Sequence, residues 1–318
     1  MGEIRKDYLL DFFVIVSPER GKRPQDFHVK KTTSDEAKCP FCLHNRPHEL
    51  PDELQRWDLP DEPGGLLLTH NKYPIVRQEG RAELQTHNKF YTFGSNYGEH
   101  VVLLEGAKHG IHFGSMSEEA MAKVLLAYQD VLDRLYSSGS RYVTLFKNEG
   151  EASGASIDHP HTQMLGLGIT PHSVMHRYEA FLDYKGDHGT CPYCEIMARE
   201  RGSTRGVISE HGWTIFCPYA SKNPYELVFF PDRHVSRYRD LSEEELTALA
   251  GHLKTVLEKL ATINAPYNLE LISSNGEADF HCHFVLSPRL TLLGGFEFTT
   301  DIIVNPVTPE SAAEFYRS

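Results

Sequence analysis

The sequence lacks the features that would place it outside ordinary soluble globular chemistry. No stretch of the 318 residues approaches the roughly 18 uninterrupted apolar residues of a membrane helix, so no membrane partner is expected. The opening Met1-Gly-Glu-Ile-Arg-Lys-Asp7 carries no apolar run of the signal-peptide type, and a cytoplasmic protein is expected. Cations are in the minority: 32 Lys and Arg stand against 44 Asp and Glu, for a net charge of −12. A broad basic face for nucleic acid is therefore not expected. A small phosphorylated ligand remains compatible, because a few local cations and backbone N–H groups can hold one. Cysteines number only six, and in a cytoplasmic chain paired cysteines point to metal or redox chemistry before structural disulfides.

What is present is a globular composition with an internal repeat. Hydrophobic residues make up 40% of the chain, enough for one large core or two ordinary ones. The first half runs Cys39-Pro-Phe-Cys42, His109, Ser117-Glu-Glu, then His159-Pro-His161. The second runs Cys191-Pro-Tyr-Cys194, His234, Ser242-Glu-Glu, then His281-Cys-His283. The spans from His109 to His159 and from His234 to His281 are nearly equal. The span from cysteine pair to first histidine is longer in the first half, which places an insertion near Pro51–Gly65. The break between halves is expected in Leu182–Gly189, giving an N-terminal half of residues 1–185 and a C-terminal half of 186–318.

Ser117 and Ser242 are good helix N-caps, and the acidic residues after them suit the helix dipole. Met121, Leu125, Leu132 and Leu135 recur at helical spacing, as do Leu246, Leu249, Leu253, Val256 and Leu260; these stripes read as core. Strands are expected at Val14–Ser17, Val101–Glu105, Tyr142–Lys147, His161–Leu167, Leu227–Pro231, Asn268–Ser273 and His281–Leu286. Short strands with one long helix per repeat imply an α+β fold, a sheet covered on one face by helices.

Each half offers a complete tetrahedral zinc set of two thiolates and two imidazoles. The candidates are Cys39, Cys42, His109 and His159 in the first half, and Cys191, Cys194, His234 and His281 in the second. His112 competes with His109, and His283 with His281. Neither cysteine pair precedes a clear helical pattern, as a thioredoxin-like redox motif would. Cys217 and Cys282 have no such partner and read as small buried residues.

The segment Asn148-Glu-Gly-Glu-Ala-Ser-Gly-Ala-Ser156-Ile-Asp-His159-Pro-His161-Thr-Gln163 joins a Gly/Ser-rich loop to two histidines on one strand face. Gly and Ser allow close approach of phosphate oxygens and supply donors to them. A neutral imidazole can attack phosphorus if its other nitrogen is held by an acceptor. Gln163 lies on the same face as His161 and can stabilise the nonbridging oxygens. The plainer alternative is a histidine cluster serving a metal alone.

Phe146-Lys-Asn148-Glu-Gly150, Ser156 and His159-Pro-His161-Thr-Gln163 together resemble the signature of galactose-1-phosphate uridylyltransferases and their nucleotidyltransferase relatives in the histidine-triad superfamily. Phe13-Val-Ile-Val-Ser-Pro-Glu-Arg20-Gly-Lys-Arg23-Pro24, Asn71-Lys-Tyr-Pro74, Gly294-Gly-Phe296-Glu297 and Asn305-Pro306 extend the resemblance over nearly the whole chain. It implies two histidine-triad-like halves in an open antiparallel sheet, a homodimer, and two zinc ions per chain. It implies His161 as a nucleophile carrying a nucleoside monophosphate, Gln163 as its stabiliser and His159 as a zinc ligand. Arg20, Arg23, Asn71, Asn148 and Ser156 would contact nucleotide and phosphates, and Gly294, Phe296 and Glu297 the sugar phosphate. The partners implied are a nucleotide sugar and a sugar phosphate, with UMP transferred to a hexose-1-phosphate.

The sequence departs from the galactose enzymes in two ways. Its second metal set holds a cysteine pair where they use a His and a Glu. The Thr291–Glu297 segment lacks the lysine of their hexose-phosphate loop. In the first respect it is more similar to shorter relatives that act on ADP-glucose with phosphate. A zinc-dependent nucleotide-binding module without catalysis is a third reading, one that would not need His161 with Gln163. The second half has no glutamine at the matching place, so one active site per chain is expected.

Overall fold

Two capped amphipathic helices organise the fold. In the computed structural model, which describes residues 2–22, 35–59, 64–274 and 279–318, the Ser117 side chain accepts the N–H of Ala120 at the start of one helix. Ser242 accepts from Glu245 at the start of the other, and the Glu245 carboxylate returns a bond to the Ser242 N–H. This reciprocal capping satisfies helix-end donors that would otherwise lack partners.

The chain begins with strands β1 (Glu3–Lys6) and β2 (Phe13–Val16). Then come α1 (Arg46–Glu49), β3 (Gln55–Trp57), β4 (Leu66–His70), β5 (Gln85–His87), β6 (Tyr91–Phe93), β7 (Gly98–Glu105), α2 (Glu118–Ser137), β8 (Tyr142–Glu149) and β9 (His161–Leu167). The remainder is α3 (His172–His188), α4 (Pro192–Glu200), β10 (Gly206–Glu210), β11 (Trp213–Phe216), β12 (Leu227–Pro231), α5 (Glu243–Thr262), β13 (Tyr267–Ile272), β14 (His283–Pro288), α6 (Gly295–Thr300), β15 (Ile303–Asn305) and α7 (Pro309–Arg317).

The chain divides into two compact units. One comprises Thr33–Lys147 and Ile157–Met175 and holds the first cysteine pair; we call it the Cys39 unit. The other comprises Met1–Thr32, Asn148–Ser156 and His176–Ser318 and is the Cys191 unit. In the Cys39 unit the strand order is β8-β9-β7-β4-β3, with every pair antiparallel. Helix α2 buries Met121, Leu125, Leu132 and Leu135. In the Cys191 unit the order is β10-β11-β12-β14-β13, again antiparallel throughout. Helix α5 buries Leu246, Leu249, Leu253, Val256 and Leu260. Burying each such side chain is worth about 1.5–3 kcal/mol. A small sheet β1-β2-β15 completes this unit, with β15 parallel to β2. The architecture is α+β, as the sequence implies, and no described helix is long and apolar enough to cross a membrane.

Local readings differ in three places. Leu182–Gly189, expected as a break, is the end of α3, which stops where Gly189 takes φ +73°. Cys191 is the N-cap of α4 with Pro192 at its first turn, so the second cysteine pair does open a helix. Its apolar positions are too few for the stripe to show in the sequence. Third, β14 begins at His283, two residues later than expected, because Cys282 donates its N–H to Val235 outside the ladder. The expected insertion is described only in part; β3 lies within it, and residues 60–63 fall outside the described residues.

Candidate active site and metal centres

In the Cys39 unit, one donor atom from each of Cys39, Cys42, His109 and His159 converges, all within 4.8 Å of one another. Cys42 Sγ lies 3.6 Å from His109 Nδ1 and 3.7 Å from His159 Nδ1; Cys39 Sγ lies 3.9 Å from His159 Nδ1. A zinc tetrahedron with its usual bond lengths has S···N edges of about 3.6 Å. The His159 Nε2–H is donated to the Gly106 carbonyl at 3.2 Å, which leaves Nδ1 as the ligating nitrogen. Burial pulls the His159 imidazole down to about 4, so it is neutral as a ligand must be. Burial and the adjacent Cys39 thiol push Cys42 up to about 12, a charge deficit that a central dication would reverse. The residues present fit a metal ion, and His109 rather than His112 belongs to this cluster.

His161 is the first residue of β9, only 6% exposed. Its Nδ1–H is donated to the His159 carbonyl at 2.8 Å, which puts the lone pair on Nε2. The ring sits edge-on to Phe41, with centroids 5.2 Å apart. Two residues on, Gln163 Oε1 accepts the Nε2–H of His100 at 3.0 Å. The Ile75 N–H occupies His100 Nδ1 at 3.2 Å and fixes that tautomer. With its oxygen so held, Gln163 has its two amide hydrogens left for a ligand. The Asn71 side-chain nitrogen lies 3.2 Å from the same His100 nitrogen, beside the cluster, although in this tautomer both are donors and no hydrogen bond joins them. Burial holds His100 below its ordinary value, hence neutral.

The strand backbone at His161 rests on a buried polar network. Lys147 of β8 donates to the His161 carbonyl at 3.1 Å and pairs with Glu105 of β7; both side chains are fully buried. Glu105 also accepts from Thr162 at 2.5 Å and from Tyr128 of α2 at 3.2 Å. A buried charge pair costs much desolvation and persists where each lone pair finds a donor, as here. The sequence reading singled out neither His100, Lys147 nor Glu105. The available signal was a lone charged residue in each of two otherwise apolar strand ends.

Other sequence candidates lie in the Cys191 unit. Arg20 is exposed in a short 3-10 turn, Pro18–Lys22, and Arg23 falls outside the described residues. Asn148 Oδ1 accepts from Asn268 at 2.7 Å, and Asn268 also binds the Ser153 carbonyl, which pins the Gly-rich loop. Gly150 at φ +83° lets that loop pass close to Pro266. Ser156 is exposed in the loop beyond. Gly294 caps α6, and its N–H binds one oxygen of Glu297 at 2.9 Å; Phe296 is half exposed.

The Cys191 unit repeats the metal geometry with Cys191, Cys194, His234 and His281. Cys194 Sγ is 3.5 Å from His234 Nδ1 and 3.4 Å from His281 Nδ1. His281 Nε2 bonds the Pro231 carbonyl at 3.0 Å, and His234 Nε2 the Asp279 carboxylate at 2.9 Å. Lys185 in turn pairs with Asp279, whose carboxyl is held down to about 2.

The chain is similar to known proteins over its whole length. The family model described as galactose-1-phosphate uridyl transferase, N-terminal domain, matches residues 3–171. ADP-glucose phosphorylase of Arabidopsis thaliana is 31% identical, over 99% of this chain and 92% of its own. Galactose-1-phosphate uridylyltransferase of Thermotoga maritima is 26% identical, over 100% of this chain and 98% of its own. The crystal structure of the Arabidopsis thaliana ADP-glucose phosphorylase with bound ADP-glucose superposes with a TM-score of 0.84 at 27% identity, covering 100% of this chain and 99% of that one.

Proposed function

The chain belongs to the galactose-1-phosphate uridyl transferase family and is a nucleotidyltransferase, and we propose that it moves a nucleoside monophosphate from a nucleotide sugar to a phosphate acceptor through a covalent intermediate on His161. The observation that carries this is the His161 tautomer. Its Nδ1–H is committed to the His159 carbonyl, so Nε2 is a nucleophile without prior proton removal.

The reaction has two steps. Nε2 attacks the α-phosphorus, an N–P bond forms, and the bond to the sugar-1-phosphate oxygen breaks. An oxygen of the acceptor phosphate then attacks the same phosphorus and the N–P bond breaks. The growing imidazolium charge is met at Nδ1–H by the His159 carbonyl. The Gln163 amide donates to the nonbridging oxygens, its own oxygen being held by His100. Arg20, Arg23, Asn71, Asn148 and Ser156 are assigned to nucleotide and phosphates, and Gly294, Phe296 and Glu297 to the sugar.

We assign one zinc ion to each Cys₂His₂ cluster. Four protein ligands leave no open position, so both are structural. The two repeats are read as residues 1–185 and 186–318, and the protein as a cytoplasmic homodimer. For the base, UMP with a hexose-1-phosphate acceptor is the first reading, carried by the family and the Thermotoga relative. Adenylyl transfer from ADP-glucose to inorganic phosphate is the second, favoured by the second cysteine pair and the Arabidopsis relative.

Intact-mass measurement after mixing the zinc-loaded protein with UDP-glucose and, separately, ADP-glucose tests the reading. One added nucleoside monophosphate is expected with one donor, and none in His161→Ala. Adduct formation in that variant would remove His161 from the mechanism.

A further inference from the structure

The Cys191 unit contains a cavity that the transfer chemistry does not use. Its volume is about 240 Å³. Alternate residues of β14, namely His283, Val285 and Ser287, line it, whereas Phe284 and Leu286 between them are buried away from it. This is the repeat's counterpart of the β9 face that presents His161 and Gln163. Tyr8 and Phe12 of the N-terminal segment and Tyr193 and Ile196 of α4 wall it.

His283 is set as His161 is. Its Nδ1–H is donated to the His281 carbonyl at 2.9 Å, so Nε2 is an acceptor, and the ring stacks on Phe230 at 4.4 Å. The carboxylates in the lining are occupied. Asp7 caps the N–H groups of Leu9 and Leu10, Glu226 accepts twice from Asn223, and Glu270 lies 3.9 Å from Arg289. Two of the cations have no carboxylate ion pair among the described residues. Arg177 has neither hydrogen-bond nor ion-pair partner among the described residues, and the Lys222 ammonium lies over the Phe12 ring at 3.9 Å.

We propose that this cavity binds a nucleoside monophosphate without reacting with it. Arg177 and Lys222 take the phosphate, the aromatic walls take the base, and His283 Nε2 accepts a ribose hydroxyl. Two cations match a phosphate dianion, and an aromatic slot suits a planar base. The volume lies just below the usual range for ligand pockets, which suits a mononucleotide better than a nucleotide sugar. Val285 stands where the first repeat has Gln163, so the donor needed for transfer is missing. The choice of a nucleotide rests on the reading of His161; the anion site does not.

The test is equilibrium dialysis of the zinc-loaded full chain against labelled AMP and, separately, UMP. Wild type is expected to hold two equivalents with at least one of them. Arg177→Glu, and Ile196→Trp, which fills the cavity without altering charge, should each hold one fewer, with zinc content and melting temperature as checks on folding. If His161 does not bind nucleotide, the counts become one and zero, and the difference survives. Equal counts in wild type and both variants overturn the proposal.

Discussion

The chain carries the same His-x-His strand twice, and the two copies differ in what surrounds it. In both, the first histidine joins a Cys₂His₂ cluster and the second donates Nδ1–H to the carbonyl of the first, at 2.8 and 2.9 Å. The neighbours diverge. Gln163 pairs across the ladder with Val102 and Phe146; Val285 pairs with Val228 and Glu270. Lys147, one residue past Phe146, corresponds to Leu271, one past Glu270. Glu105, two past the Thr162 partner Leu103, corresponds to Pro231, two past the Phe284 partner Phe229. Tyr128 and Leu253 stand equally far from their capping serines. The polar network of Lys147, Glu105, Thr162 and Tyr128 thus becomes Leu271, Pro231, Phe284 and Leu253. The strand that bears His161 is underpinned by directional bonds, and the strand that bears His283 by packing.

That contrast can be broken at its base first. Lys147→Met strips the partner from a buried Glu105 and should cost about 3–5 kcal/mol of stability, read in chemical denaturation. The combined variant Lys147→Leu, Glu105→Leu, Thr162→Val converts the network toward its apolar counterpart and should recover much of that loss. Recovered stability with unimpaired turnover would show that the network does not position His161. Next comes Gln163→Val, which gives the first copy the second copy's residue. Loss of a preorganised donor should lower kcat by about 10²–10³ while the protein stays folded.

The smallest effect is in pH. His100 faces Gln163 from β7, and its counterpart, just before β12, is Glu226. Burial holds His100 below 6.5, so its contribution to stability is full above that pH and falls away as pH drops through it. Burial holds Glu226 above 4.5, so its contribution is full below that pH and falls away as pH rises. The melting temperature of His100→Gln should therefore decline less on acidification below 6.5, and that of Glu226→Gln should decline less as pH climbs above 4.5. Slopes of the same sign would erase this part of the contrast.

Local and periodic signals made much of this legible in the sequence. Ser117 and Ser242 cap α2 and α5, and the apolar stripes behind them are buried. The repeat of Cys-x-x-Cys and His pointed to two Cys₂His₂ clusters because metal ligation fixes residue type, and the alternation of a strand put His161 and Gln163 on one face. What was hidden depends on contacts between distant strands. Nothing near Lys147 announces Glu105, 42 positions away, and His100 looks like any strand histidine until Ile75 and Gln163 close on its two nitrogens. The helix at Cys191 was hidden for a different reason: it is short, and few of its positions are apolar and buried, so no stripe shows in the sequence.

Of the two matching imidazoles, His161 alone is assigned as the nucleophile. Peptide mapping of the nucleotidylated protein under alkaline conditions, which spare the N–P bond, tests it most directly. The adduct is expected on the peptide bearing His161 and not on the peptide bearing His283. An adduct on His283, or equal labelling of both, would contradict it.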